Sequence, residues 1–136
     1  MGSRYEADID GCVQEKDTWV SELNDQIVRV SVPSEFGGVE HGSSPEHLFA
    51  AALLNCYVAT FRVISEKSQL EYGCVEASIE VELEPKNDVP ISQGTITLYH
   101  NAENMKKAEH VAEKAKQHCY VHQSVKTSLN ITVKEM

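Results

Sequence analysis

Four cysteines, Cys12, Cys56, Cys74 and Cys119, are the residues of this chain best suited to chemistry. Cys56 falls near the middle of an apolar stretch, residues 44–67, directly after Asn55. Cys119 continues a stripe of Met105, Ala108, Val111, Ala112 and Ala115, whose spacing of three and four is that of one helix face. A single buried thiol is ordinarily a small hydrophobe. Two thiols brought together are a redox centre, because one sulfur can be oxidised to a sulfenic acid and the other can condense with it. Cys119-x-x-His122 with Cys56 also has metal-binding residue types. Zinc usually takes four such ligands. Only one short pair is present, so neither a metal nor any other cofactor is expected. Cys12 and Cys74 read as structural or incidental, and His41, alone in a loop, reads as solvated.

Residues 44–67 read as one long helix. Ser44 is a suitable N-cap, because its hydroxyl can accept a bond from an orphan backbone N–H. Pro45 follows at the first helical position, where its lack of an N–H costs nothing. Glu46 puts a negative charge at the positive end of the helix dipole. From position 48 to 64 the apolar residues fall on every side, the pattern of a buried helix. The run 48–54 is too short for a membrane span, and Asn55 and Arg62 interrupt its continuation.

The remaining elements surround that helix in sequence. Tyr5, Ala7 and Ile9 alternate with polar residues as a first strand. Residues 19–22 and 26–32 follow as strands separated by the Asn24-Asp25 turn. Gly37, Gly38, Gly42 and Ser43 mark a loop that delivers the chain to Ser44. After the helix, Val75, Ala77, Ile79, Val81 and Leu83 alternate with Glu76, Ser78, Glu80, Glu82 and Glu84, a strand with one core face and one acidic, solvated face. Residues 95–100 form another strand, 101–117 a second helix with Lys106, Lys107, Glu113, Lys114 and Lys116 on its polar side, and 128–134 a last strand. The expected architecture is α+β with an antiparallel sheet.

The chain of 136 residues is most simply one domain, 1–136. Its formal net charge of −9 argues against nucleic acid and anionic membrane surfaces as partners. No basic, apolar leader opens the sequence, so the expected setting is cytoplasmic, where a cysteine pair is more often redox-active than a staple.

Gly37-Gly38, then Gly42-Ser43-Ser44-Pro45-Glu46-His47-Leu48, then Ala50-Ala51-Ala52 and Asn55-Cys56-Tyr57 resemble the OsmC/Ohr family of osmotically inducible and organic hydroperoxide resistance proteins. That family has a second cysteine in a helix towards the C-terminus, as in His118-Cys119-Tyr120-Val121-His122. The resemblance implies an OsmC-like fold, antiparallel sheets wrapped around a long buried central helix in an intertwined homodimer. It also implies thiol-dependent reduction of organic hydroperoxides, with an external dithiol as reductant. In that frame Cys56 is the peroxidatic cysteine, Cys119 the resolving one that joins it in a disulfide, and Glu46 the helix-entry carboxylate that orients an arginine over the thiolate. Glu46 and Cys56 are ten residues apart, roughly 15 Å along a straight helix. If both serve one site, Glu46 reaches the Cys56 of the other subunit.

One departure stands out. The family's peroxidases carry an arginine in the turn before the second strand, and here that turn reads Gly11-Cys12-Val13-Gln14-Glu15-Lys16. The only arginines are Arg4, Arg29 and Arg62. Arg62 lies roughly 120° around the helix from Cys56. Lys16 can act as a point charge but lacks the planar fork. The alternative to an enzyme is a non-catalytic OsmC-like protein that binds a small apolar or thiol-bearing ligand.

Overall fold

The computed structural model describes residues 2–10, 13, 18–38 and 42–136. Cys12, Lys16 and His41 lie outside them. The chain divides into two compact units, Met1–Phe49 and Ala50–Met136.

The first unit is built on an antiparallel meander of β1 (Ala7–Asp10), β2 (Trp19–Leu23) and β3 (Gln26–Val30). β2 and β3 join through Asn24-Asp25 with Leu23 opposite Gln26. This two-residue hairpin needs left-handed backbone, and Asn24 supplies it at φ 54°. β3 ends at Val30 rather than Val32, after which a 3₁₀ turn, Ser34–Phe36, closes on Gly37 at φ 91°. A side chain at Gly38 would run into the Val32 carbonyl, so the Gly37-Gly38 pair is required by the backbone. The loop then returns alongside β3. Ser31 N–H donates to the Ser43 carbonyl at 3.0 Å and Ser43 N–H to the Arg29 carbonyl at 2.9 Å.

This return sets the start of α1 (Pro45–Lys67). Ser44 caps it as expected: its Oγ accepts from His47 N–H at 3.1 Å. The cap is reciprocal, because Ser44 N–H donates back to His47 Nδ1 at 3.1 Å. His47 thereby takes the place that Glu or Gln fills in a capping box.

The second unit holds most of α1, then β4 (Val75–Val81), β5 (Gln93–His100), α2 (Met105–His118), α3 (Tyr120–Gln123) and β6 (Ser128–Glu135). The sheet order is β4-β5-β6. The central strand buries Gly94, Ile96, Leu98 and His100 on one face. β4 runs antiparallel to β5, as expected, but β6 pairs with β5 in parallel. The wholly antiparallel arrangement is therefore corrected. Parallel neighbours need a crossover long enough to return the chain to the same end, and α2 with α3 provides it. α2 is capped by Asn104, whose side chain accepts from Lys107 N–H at 3.1 Å, and it buries Ala108, Val111, Ala112 and Ala115.

α1 is buried differently from what its composition suggests. Leu53, Tyr57, Phe61 and Ser65, four residues apart, are sealed. Ala51, Ala52, Ala59 and Val63 remain exposed within the chain. Hydropathy registers how apolar a helix is, not which of its sides the same chain covers. The full 23-residue helix is also long and apolar enough to cross a membrane by length and composition, which the shorter run 48–54 does not indicate. Its sealed stripe packs into the core of its own unit. Phe61 packs against Tyr72 with ring centroids 5.7 Å apart, and the Tyr57 hydroxyl donates to the Ala112 carbonyl of α2 at 2.9 Å.

Candidate functional site

The second unit brings Cys56 and Cys119 together. Cys56 is half-buried in mid-α1, and Cys119 is fully buried. Cys119 is not within a helix: its backbone is extended (φ −76°, ψ 109°) and forms the joint between α2 and α3. It still faces inward, as the stripe Ala108–Ala115 foretells. Both thiols are free, and Cys119 is close enough to Cys56 for the charge of Cys56 to act on it.

Burial pushes the Cys119 thiol up to about 11, and the hydrogen bond to Cys56 and the charge of Cys56 add to the rise. The backbone N–H groups of His122 and Val121 pull the other way, by less. Cys119 is thus held as a protonated thiol near neutrality. Tyr57, one residue beyond Cys56, is held protonated by burial first and then by the charge of Glu113.

Cys56 opens onto a cleft of about 600 Å³. Its floor is one face of α1, running from Cys56 through Ala59, Val63 and Ile64 to Lys67. Its far wall is α2 and the joint beyond it, represented by Lys114, His118 and Tyr120. The walls are mostly carbon, and every charged residue among the lining side chains is basic. The sequence pattern alone put Lys114 on the solvated side of α2. Its relation to Cys119, with His118 between them, is the signal that was available.

The other candidates lie elsewhere. Glu46 is in the first unit at the start of α1, half-buried, with its Oε1 enclosed and without a hydrogen-bond partner among the described residues. Arg62 is exposed and does not line the cleft. Cys74 is exposed, its N–H bound to the Asn101 side chain at 2.7 Å. Among the described residues, no group of three or more His, Cys, Asp or Glu is placed to hold a metal ion.

A family model for OsmC-like proteins matches residues 37–134. The chain belongs to the OsmC-like protein family. It is 22% identical over 128 residues to the uncharacterized protein YmaD of Bacillus subtilis, covering 85% of this chain and 81% of that one. An OsmC-like protein of unknown function from Vibrio cholerae superposes with a TM-score of 0.80 at 16% identity, over 97% of this chain and 99% of that one. An organic hydroperoxide resistance protein of Legionella pneumophila does so at 0.77 and 19% identity, over 98% of this chain and 96% of that one. At these identities the structural likeness establishes the OsmC-like fold.

Proposed function

We propose that this OsmC-like protein, as a single domain spanning 1–136, is a thiol peroxidase for organic hydroperoxides in the cytoplasm. The observation that carries the reading is the division of labour between its two sulfurs. Cys56 reaches an apolar cleft, and Cys119 is buried near it as a protonated thiol.

The chemistry follows from that division. The Cys56 thiolate attacks the distal oxygen of ROOH, the O–O bond breaks, and the alkoxide leaves and is protonated to ROH. Cys56 is now a sulfenic acid. Its negative charge, one of the causes that raise Cys119, is gone, while the N–H groups of Val121 and His122 still favour the Cys119 thiolate. Cys119 attacks the Cys56 sulfur, an S–S bond forms, and hydroxide leaves as water with the thiol's proton. An external dithiol restores both thiols and is itself oxidised to a disulfide. The apolar walls favour an organic hydroperoxide, whose tail they can bury, over hydrogen peroxide.

The partner in this reading is a second copy. Ala51, Ala52, Ala59 and Val63 form an open apolar face on α1, and Glu46 carries an enclosed, unpartnered carboxylate oxygen. A homodimer covers the first and lets the second serve the other subunit's Cys56. The likeness to an organic hydroperoxide resistance protein supports the substrate class.

Consumption of cumene hydroperoxide with dithiothreitol tests the reading. Wild type turns over repeatedly. Cys56→Ser consumes nothing, because a hydroxyl supplies no anion near neutral pH. With no dithiol present, Cys119→Ser consumes one equivalent and then stalls or over-oxidises, because its sulfenic acid has no intramolecular thiol to condense with. Saturable binding of the hydroperoxide without consumption in wild type makes the protein a binder instead.

A further inference from the structure

A thiolate in an apolar cleft needs a positive neighbour, because burial otherwise favours the neutral thiol. We propose that Lys114 and His118, neighbours one turn apart on α2, supply that charge to Cys56. The proposal rests on reading Cys56 as the nucleophile. It replaces the N-terminal-turn arginine, which this chain lacks, with cations from the same compact unit as the thiol.

Three observations lead there. The cleft that exposes Cys56 is lined by three basic side chains, Lys67, Lys114 and His118, and by no acidic one, in a chain of net charge −9. A surface of average composition for this chain would be acidic, so a cationic lining is a local reversal. Next, the two ends of α2 lie near different parts of the chain from Cys56 to Gln69. At one end His118 lines the same cleft as Cys56. At the other, Lys107 Nζ donates to the Gln69 carbonyl at 3.3 Å. This register puts His118 and then Lys114 nearest the thiol. Lys67 sits roughly 16 Å along α1 from Cys56, beyond the Debye length of about 8 Å at physiological salt. Finally, α2 ends at His118, so its negative dipole end points at the sulfur pair and disfavours a thiolate. Cations there offset the dipole.

Basic residues near a helix C-terminus are common without any function. What separates these two is the cleft they share with Cys56. The titratable groups that face the thiol are Cys119 from the α2–α3 joint, Lys114 and His118 from α2, Tyr120 from α3 and Lys67 from α1. Cys119 carries no charge near neutrality. Glu113, the acidic residue beside Lys114, acts on Tyr57 and does not line the cleft.

Alkylation of Cys56 by iodoacetamide, followed peptide by peptide on the full chain, measures this without any peroxide. The reagent is neutral, so the cations cannot attract it. At pH 6, where an ordinary imidazole is mostly charged, and at low salt, Lys114→Met and His118→Gln should each slow Cys56 alkylation roughly two- to fivefold, the range of an exposed charge pair. The double variant should be slower than either, while Cys74, exposed and outside the cleft, should react at an unchanged rate. Lys114→Arg should restore the wild-type rate. Raising salt should slow the wild type and leave the double variant unaffected. An unchanged Cys56 rate and salt response in the double variant overturns the proposal. Loss of rate at Cys74 as well, or no rescue by arginine, marks a structural effect and also overturns it. Cumene hydroperoxide consumption is scored separately. A charge-dependent Cys56 in a protein that consumes no peroxide leaves this inference standing and removes the peroxidase reading.

Discussion

Two faces of α1 share one helix and nearly one hydropathy, yet they do opposite work. Leu53, Tyr57, Phe61 and Ser65 are sealed and tie the helix to its own unit. Turned from them are Cys56, Ala59 and Val63, left open, with the thiol at the head of a cleft. Stability belongs to the first face, and the proposed chemistry to the second. A step of one residue along the helix, from Cys56 to Tyr57, crosses the border, because each residue turns the helix by about 100°. A thiol one position later would be entombed, and a tyrosine one position earlier would fill the cleft.

The sharpest way to break this comparison is at the sealed face. Phe61 is 1% exposed and stacks at a tilt on Tyr72. Phe61→Ala removes the ring and leaves a cavity, which typically costs about 3–5 kcal/mol. Urea unfolding followed by fluorescence or circular dichroism reads the loss as a lower midpoint. A loss below about 1 kcal/mol, the ordinary range for a surface site, contradicts the division of faces.

The open face is tested at Val63, which is 50% exposed within the chain. Val63→Asp should leave the unfolding of a single chain within about 0.5 kcal/mol of wild type. If a second copy covers this face, a buried unpaired carboxylate is strongly unfavourable. Sedimentation should then show wild-type dimer and variant monomer at the same micromolar concentration. A variant that remains dimeric places the subunit contact elsewhere.

These faces also mark how far the sequence could be read. Ser44, Pro45 and the glycine pair announced the entry to α1, because caps and turns are local backbone chemistry. The outcome carries that through: Ser44 caps, and Gly38 has no room for a side chain. The pairing of Cys56 with Cys119 came from the family resemblance and the inward stripe of α2, and both residues fall in the second unit. Four things were not legible. An apolar helix cannot report which side its own chain covers, so α1 looked buried all round. The parallel β5–β6 pairing depends on where the crossover returns the chain, which no periodicity encodes. Lys114 looked like the polar side of an amphipathic helix, since its place in the cleft is set by α1, an element distant in sequence. Cys119 was expected inside a helix and forms the joint between two, a difference of backbone angle rather than of burial.

The finest test concerns the sulfur that sits between the two faces. Cys119 is raised from 9.0 to about 11, first by burial and then by Cys56. In the unfolded chain the thiol loses its proton as pH passes 9.0, while in the folded chain it keeps the proton until about 11. Below 9.0 both states are protonated and the thiol's contribution to stability is fully present. Between these values the unfolded state binds fewer protons, so stability falls as pH rises, and the contribution is lost through about pH 11. Tyr57 adds a fall of the same sign, because burial also raises its hydroxyl above 10.0. Cys119→Ala removes the first of these and leaves the second. Its unfolding free energy, measured by urea titration at successive pH values, should decline less steeply than that of wild type from pH 9 to 10, where Tyr57 contributes least. The comparison is one of slopes, so the cavity left by the lost sulfur, which offsets all pH values alike, does not enter. Parallel slopes would mean that the thiol titrates in the folded chain as it does unfolded, and that Cys119 is not the sealed, protonated partner of Cys56.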